Sequence, residues 1–152
     1  MGFNMKKYFL LLIFTIFISV NINADDFGTK DEAENMLERS VNILKLDRPL
    51  ALELFAEGEG GFKYKDLYPF CYHISSGTMY SHPVFTGLSR EKSISEGVNV
   101  ADLIINNASE GKINSVSIKI ARLTTSDKKV YDKTLLVTKV DDLACAVGFY
   151  KK

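Results

Sequence analysis

The sequence predicts an α+β domain in which two N-terminal helices precede a five-stranded antiparallel sheet. Apolar residues recur at helical spacing between residues 30 and 57. An aromatic segment at 67–72 leads into a Ser-Ser-Gly turn, as in a β-hairpin. An alternating segment at 116–121 and two β-rich runs at 130–140 and 143–150 indicate a three-strand meander. The order of elements is therefore helix, helix, two strands, helix and three strands.

The first 24 residues have the composition of a secretory signal peptide. Lys6 and Lys7 precede an uncharged apolar run at 9–20, and Ala24 supplies the small residue that a cleavage site needs. This run is shorter than the ~20 residues of a membrane-spanning helix. The sequence therefore predicts a periplasmic or secreted protein after cleavage near Ala24, with a mature domain at 25–152. An uncleaved membrane anchor is the alternative.

Composition argues against several classes of function. Without Lys6 and Lys7, 19 − 2 = 17 basic residues oppose 19 acidic ones, and the charges are interspersed. A nucleic-acid site needs a basic patch, so no nucleic-acid partner is predicted. The histidines, His73 and His82, are separated and lack a carboxylate cluster, so no metal and no cofactor are predicted. No nucleophile, base and orienting group can be assembled, and no enzyme is predicted.

Two helices open the mature chain. Thr29 and Glu32 have the spacing of a capping box, which predicts a helix start at residue 30. The apolar face of this helix is formed by Ala33, Met36, Leu37, Ser40, Val41 and Leu44. Asp47-Arg48-Pro49 begins a second helix, since proline is tolerated in a first turn, and Gly58 ends it. Its predicted buried residues are Leu50, Leu54 and Phe55.

The aromatic segment predicts a hairpin that is buried on both faces. Along its first strand, one face carries Tyr68, Phe70 and Tyr72, and the other carries Leu67, Pro69 and Cys71. Since both sets are apolar, the sheet needs cover on each side. The second strand stops at His82-Pro83.

The remaining elements follow from turn residues and periodicity. Residues 84–97 are predicted as a polar loop and residues 99–110 as a helix ended by Gly111. A half-buried strand is indicated where Val116, Ile118 and Ile120 alternate with Ser117, Lys119 and Ala121. Residues 125–129 are turn-like and separate this strand from the next one.

The hairpin also resembles the signature of the single Cache domain. In that family a Gly-Phe and an Asp-Leu-Tyr precede a strand, a turn with glycine follows, and an Ala-His-Pro-like triplet ends the pair. The corresponding residues are Gly61-Phe62, Asp66-Leu67-Tyr68, Gly77 and Ser81-His82-Pro83. The similarity covers residues 27–152. It implies a PAS-like (profilin-like) sheet with the long N-terminal helix packed on one face and a small-molecule pocket over the other.

The same resemblance bears on the two cysteines. In a PAS-like sheet the first and last strands are neighbours, which implies that Cys71 and Cys145 lie side by side. An exported protein in an oxidising compartment favours a disulfide between them. Two separate buried thiols are the alternative.

The implied pocket brings five candidate ligand-binding residues together, namely Tyr68, Tyr72, His82, Arg122 and Lys133. Tyrosine hydroxyls can hydrogen-bond a carboxylate or an amine, and the two cations can balance an anion. Each residue also has a simpler interpretation. The tyrosines are core residues with locally satisfied hydroxyls, His82 fixes the turn before Pro83, and the two cations are solvated at strand ends.

Three positions depart from the family pattern. Where Cache sequences often carry aromatic residues, this chain has Ser115, Ile118 and Leu136. These replacements predict either a different ligand or a filled core. The leading hypothesis is an exported sensor that binds a small organic acid and acts through a membrane-bound receptor or kinase. The alternative is an envelope interaction module without a small ligand, which includes the case of a homodimer.

Overall fold

The computed structural model describes residues 27–124, 126 and 129–151. The signal peptide predicted at residues 1–24 lies outside this part of the chain, as does most of the turn predicted at 125–129. None of the helices in the described part of the chain has the length and apolar character needed to span a membrane.

Helix α1, Lys30–Leu46, begins at the predicted capping box. The Glu32 backbone N–H donates to Thr29 Oγ1 at 3.2 Å, and the Thr29 N–H donates to the Glu32 carboxylate at 2.8 Å. The buried residues of this helix are Ala33, Met36, Leu37, Ser40 and Leu44, while Val41 is half-buried. The predicted apolar face is therefore the face that packs on the sheet.

Helix α2, Arg48–Glu57, corrects one predicted core residue. Ala51 and Phe55 are fully buried one turn apart, whereas Leu50 is 42% exposed. The buried stripe is centred on those two residues, so Leu50 in the first turn lies beside the contact with the sheet. Gly58 ends the helix in the left-handed conformation, with a φ of 72°.

The main sheet has five antiparallel strands in the spatial order β2-β1-β7-β6-β5. In chain order these strands are β1 (Pro69–His73), β2 (Met79–Ser81), β5 (Asn114–Ala121), β6 (Val130–Val140) and β7 (Leu143–Tyr150). The predicted five-stranded antiparallel sheet is confirmed. The first and last strands are neighbours, and Cys71 is the direct register partner of Cys145. A disulfide joins the two cysteines, as the resemblance implied.

Two elements differ from the prediction between residues 84 and 110. The predicted loop contains a 3-10 turn, Arg90–Lys92, and strand β3 (Ile94–Ser95), which pairs with β4 (Val98–Asn99). Helix α3 spans only Val100–Asn107. It ends early because the following backbone turns to the sheet, where the Lys139 N–H donates to the Ser109 carbonyl at 3.1 Å.

The sheet separates two apolar layers. Helices α1 and α2 cover one face, where the buried cluster includes Leu37, Phe55, Leu136, Leu143 and the cysteines. Helix α3 packs against the other face, where the buried cluster includes Phe70, Tyr72, Ile104, Leu135 and Val137. The predicted cover on both sides of the hairpin is confirmed.

Candidate functional site

A cavity of about 170 Å³ lies in the layer on the α3 side of the sheet. Its walls come from β1, β2, β5 and β6 and from the loop that carries β3. Much of the lining is apolar and includes Phe70, Met79, Ile118, Leu123 and Leu135. Four of the five predicted ligand-binding residues also line it, namely Tyr68, Tyr72, His82 and Lys133.

Lys133 is the buried charged group in the lining of this cavity. Its side chain on β6 is buried, and Nζ donates to the Tyr68 hydroxyl at 3.2 Å. The ammonium lies 4.6 Å from the ring centre of Tyr68 and 4.5 Å from that of Tyr150, which are cation–π distances. Among the described residues, no carboxylate lies within ion-pair distance of Nζ. Burial lowers the pKa of Lys133, because an ammonium removed from water is disfavoured, and the nearby Tyr150 and Asp66 offset only part of this effect.

The two tyrosines are buried core residues that also face the cavity. The Tyr72 hydroxyl lies 2.5 Å from Ser93 Oγ, so it is satisfied locally. Burial raises the pKa of Tyr72 to about 12 and raises that of Tyr68 further. Both hydroxyls are therefore protonated at neutral pH. The Tyr68 hydroxyl accepts a hydrogen bond from Lys133 and keeps its own proton to donate.

One ring nitrogen of His82 makes hydrogen bonds that hold the turn after β2. Nδ1 accepts the backbone N–H groups of Val84 at 2.9 Å and Phe85 at 3.2 Å. The prediction that His82 fixes the turn around Pro83 is thereby confirmed. Because Nδ1 is an acceptor, the proton of the neutral ring is on Nε2, and no described residue accepts from that nitrogen. Burial, followed by the charge of Lys133, lowers the pKa of His82 to about 3.

Arg122 does not line the cavity, contrary to its predicted place in the ligand site. Its Nε donates to Oδ2 of Asp66 at 3.1 Å in a buried ion pair. The guanidinium also lies 4.0 Å from the ring centre of Phe27. Asp66 Oδ1 accepts the Gly28 N–H at 2.7 Å, so this pair holds the segment before α1 against the sheet.

The three positions that depart from the family pattern do not all face the cavity. Ile118 lines it, but Leu136 belongs to the cluster under α1 and Ser115 is exposed. The register explains this result, because Ser115 pairs with Leu136 and both lie on the other face of the sheet from Ile118. Only Ile118 therefore bears on the shape of the cavity.

Sequence patterns did not identify the residues that close the cavity from outside. Phe85, Lys92, Ser93 and Ile94 come from a segment predicted as a polar loop. Phe85 and Ile94 are 37% and 54% exposed, so they mark the mouth of the cavity. Within residues 27–124, 126 and 129–151, no three His, Cys, Asp or Glu side chains are close enough to hold a metal ion.

No protein-family model matches this sequence, and no curated protein matches it. Solved structures do share its fold. A methyl-accepting chemotaxis protein from Vibrio parahaemolyticus superposes with a TM-score of 0.61 at 18% identity, over 80% of this chain and 87% of that chain. A Cache chemosensory domain, described for its recognition of carboxylic acid, superposes with a TM-score of 0.53 at 14% identity, over 80% of this chain and 88% of that chain. The chain therefore has the fold of a Cache chemosensory domain.

Proposed function

We propose that this protein is an exported sensor domain that binds a small organic acid in the cavity on the α3 side of the sheet. A separate membrane-bound receptor or kinase would bind this domain and respond to whether the acid is bound. The observation that carries the proposal is Lys133, a buried cation without a described carboxylate partner in an otherwise largely apolar cavity. One of the similar solved structures is a Cache chemosensory domain described for its recognition of carboxylic acid, which supports the same ligand class.

The charges around the cavity favour a single anion. Arg122 is balanced by Asp66, whereas Lys133 has no equivalent partner among the described residues. Buried charges in proteins are normally paired, because an unpaired charge in a low dielectric is costly. One bound carboxylate would balance Lys133 and raise its pKa again, so ligand binding and the charged state of the lysine favour each other.

Hydrogen-bond donors are available for such a carboxylate. Lys133 offers its ammonium, His82 offers Nε2–H, and Tyr68 offers its hydroxyl proton. These groups would contact the acid, while Phe70, Ile118 and Leu135 would contact a hydrocarbon tail. Arg122 would hold the fold and would not contact the ligand.

The size of the cavity limits the ligand. An apolar protein cavity of ~150 Å³ holds a molecule of benzene. A cavity of about 170 Å³ is therefore matched by an acid of roughly six non-hydrogen atoms, such as a short-chain fatty acid. The exposed Lys92 at the mouth adds a positive charge that favours the approach of an anion.

A thermal-shift screen tests this function. Acids from acetate to hexanoate, with benzoate, would be compared with the amides and amines of the same carbon skeletons. Binding to the folded state raises the melting temperature by mass action. We expect a shift for acids of four to six carbons (~6–8 non-hydrogen atoms, near the estimate above) and none for amides or amines.

Matched variants make the screen specific to the cavity. Lys133→Met removes the buried charge at similar length, and Lys119→Met removes an exposed lysine from the neighbouring strand β5. We expect the acid-dependent shift to disappear in Lys133→Met and to persist in Lys119→Met. Equal shifts in both variants, or no shift with any acid in the wild type, would remove the proposed function.

One observation favours the second candidate, an envelope interaction module. The segment from Tyr80 to Val98 carries five exposed large hydrophobic side chains, namely Tyr80, Val84, Phe85, Ile94 and Val98. An envelope protein or a second copy of this chain could cover them. Light scattering after size-exclusion chromatography, with Val84→Ser and Ile94→Ser variants, tests the second copy. A dimer that both substitutions dissociate, together with a failed acid screen, would favour this candidate.

A further inference from the structure

Gly148 lies on β7 at a position where lack of space, and not the backbone conformation, disfavours a side chain. It pairs with Leu135 on β6, while Tyr150, two residues on, pairs with Lys133. Unlike Gly77 and Gly97, Gly148 does not have a positive φ, so its backbone conformation does not require glycine. A different reason must account for the missing side chain.

That reason is the side chain of Lys133. A Cβ placed on Gly148 would lie 2.5 Å from Leu135 Cδ2, 3.2 Å from Lys133 Cδ and closer still to Lys133 Cε. The aliphatic stem of Lys133 therefore crosses β7 directly over Gly148. Real Cβ atoms do not approach other carbons this closely, so a side chain at position 148 would force the ends of the Lys133 and Leu135 side chains to move.

The stem's path determines where the ammonium lies. By crossing β7 at Gly148, Lys133 carries Nζ to the Tyr68 hydroxyl on the far side, at 3.2 Å. The Tyr150 ring lies 4.5 Å from the same Nζ, and its hydroxyl is anchored to the Ala121 carbonyl at 3.0 Å. The ammonium is thus held by two aromatic rings in the wall of the cavity.

We propose that Gly148 is the specificity-determining position of the cavity, because it admits the Lys133 stem and so places the ammonium where an anionic ligand would meet it. This inference rests on the proposed function and names the residue that sets its charge preference. Any side chain at position 148 displaces the ammonium from Tyr68 and Tyr150. Gly148 is a positioning residue and need not contact the ligand.

The test uses Gly148→Ala in the full mature protein, with two readouts. The pKa of Lys133 is measured by NMR on protein with ¹³Cε-labelled lysine, in the absence of ligand. We expect it to rise toward the ordinary value of ~10.4, since the displaced ammonium regains water. The affinity for butanoate is measured by calorimetry, and we expect it to fall by about tenfold or more.

Ala146→Gly is the matched control on the same face of β7. It also changes one β7 side chain by a single methyl group, but it adds no atom that could displace the Lys133 stem, so the Lys133 pKa and butanoate affinity should stay at wild-type values. In a Lys133→Met background, where butanoate binding is expected to be lost, Gly148→Ala should have no further effect on binding, because the group that it displaces is gone.

If Gly148→Ala does not fold, the double variant Gly148→Ala/Leu135→Ala replaces it. Removing the Leu135 side chain clears one of the two contacts and leaves the contact with Lys133 Cε, with Leu135→Ala as the reference. An unchanged Lys133 pKa in the alanine variant would overturn the inference. A wild type that binds no acid would instead remove the proposed function, while the Lys133 pKa still tests the placement of the ammonium.

Discussion

The two faces of the sheet share five strands but are filled differently. On the α1 face, apolar side chains and the Cys71–Cys145 disulfide form a layer whose buried polar Ser40 donates to the Met36 carbonyl at 2.7 Å. On the α3 face, Lys133 Nζ and His82 Nε2 line a cavity and have no carboxylate or carbonyl partner among the residues that the structure describes. The comparison indicates that the α1 face stabilises the fold, whereas the α3 face contains the cavity proposed as the ligand site.

The largest expected effect comes from the α1 face. The disulfide closes a loop with a sequence separation of 74 residues. Cys71→Ala/Cys145→Ala should lower the free energy of unfolding by about 4 kcal/mol in the chain-entropy model. Denaturant unfolding measures this loss. At temperatures where the variant is folded, butanoate affinity should stay within about twofold of wild type. A loss of binding in the folded variant would show that the faces are not independent.

The next largest effect is a loss of stability at acidic pH, and it is caused by His82 on the α3 face. The pKa of His82 is about 3 in the folded protein, below its unfolded value of 6.5, so the unfolded state binds the proton first. The stabilisation is complete above pH 6.5 and is lost as the pH falls toward 3. At pH 4.5 the loss should be about 3 kcal/mol, at 1.36 kcal/mol for each of two pH units.

His82→Asn separates this effect from other acid-sensitive groups. The asparagine oxygen can still accept the Val84 and Phe85 N–H groups, but it does not titrate. Unfolding measured from pH 7 to pH 4 should show a shallower loss of stability in the variant. An identical pH profile would mean that other groups cause the acid sensitivity.

Lys133→Met tests whether the buried charge of the cavity destabilises the folded protein. Replacing an unpaired buried ammonium by an apolar side chain of similar length should raise the free energy of unfolding by about 1–4 kcal/mol. The wild-type stability should also rise with pH toward 10.5, because the lowered pKa of Lys133 means that the unfolded state binds more protons in that range. A destabilised Lys133→Met variant would indicate that the ammonium is already paired.

The smallest effect lies at the start of α1, far from the cavity contacts. Thr29→Ala removes the capping hydroxyl that accepts the Glu32 N–H. The free energy of unfolding should fall by about 1 kcal/mol, measured by denaturant titration. Acid binding should not change, and a change would place the N-terminus of α1 in the ligand-binding mechanism.

Sequence patterns predicted the parts of the fold that depend on local periodicity. Strands β6 and β7 begin and end at the predicted residues, because each is a continuous β-rich run with distinct ends. The predictions for the burial of Leu50 and for the end of α3 were wrong. Both depend on tertiary contacts, because packing on the sheet determines which side of a helix is buried and where its last turn ends. The β3–β4 pair was missed, since four residues carry no periodic signal.

The site was predicted in part for the same reason. Strand alternation predicted one shared face for Tyr68 and Tyr72, and the family resemblance implied that His82 and Lys133 lie in the same pocket; all four line the cavity. Arg122 was misplaced because its partner, Asp66, is 56 residues away along the chain. The role of Gly148 depends on the path of one lysine side chain across a neighbouring strand, which no sequence pattern encodes.

The most direct measurement of the central claim is calorimetric titration of butanoate and butanamide into the wild type and Lys133→Met. The two ligands have the same carbon skeleton and differ in charge, so their comparison isolates the buried ammonium. Binding of butanoate alone, to the wild type alone, is the expected result. Equal affinity for the two ligands, or undiminished butanoate binding in Lys133→Met, would contradict a cavity built around the charge of Lys133.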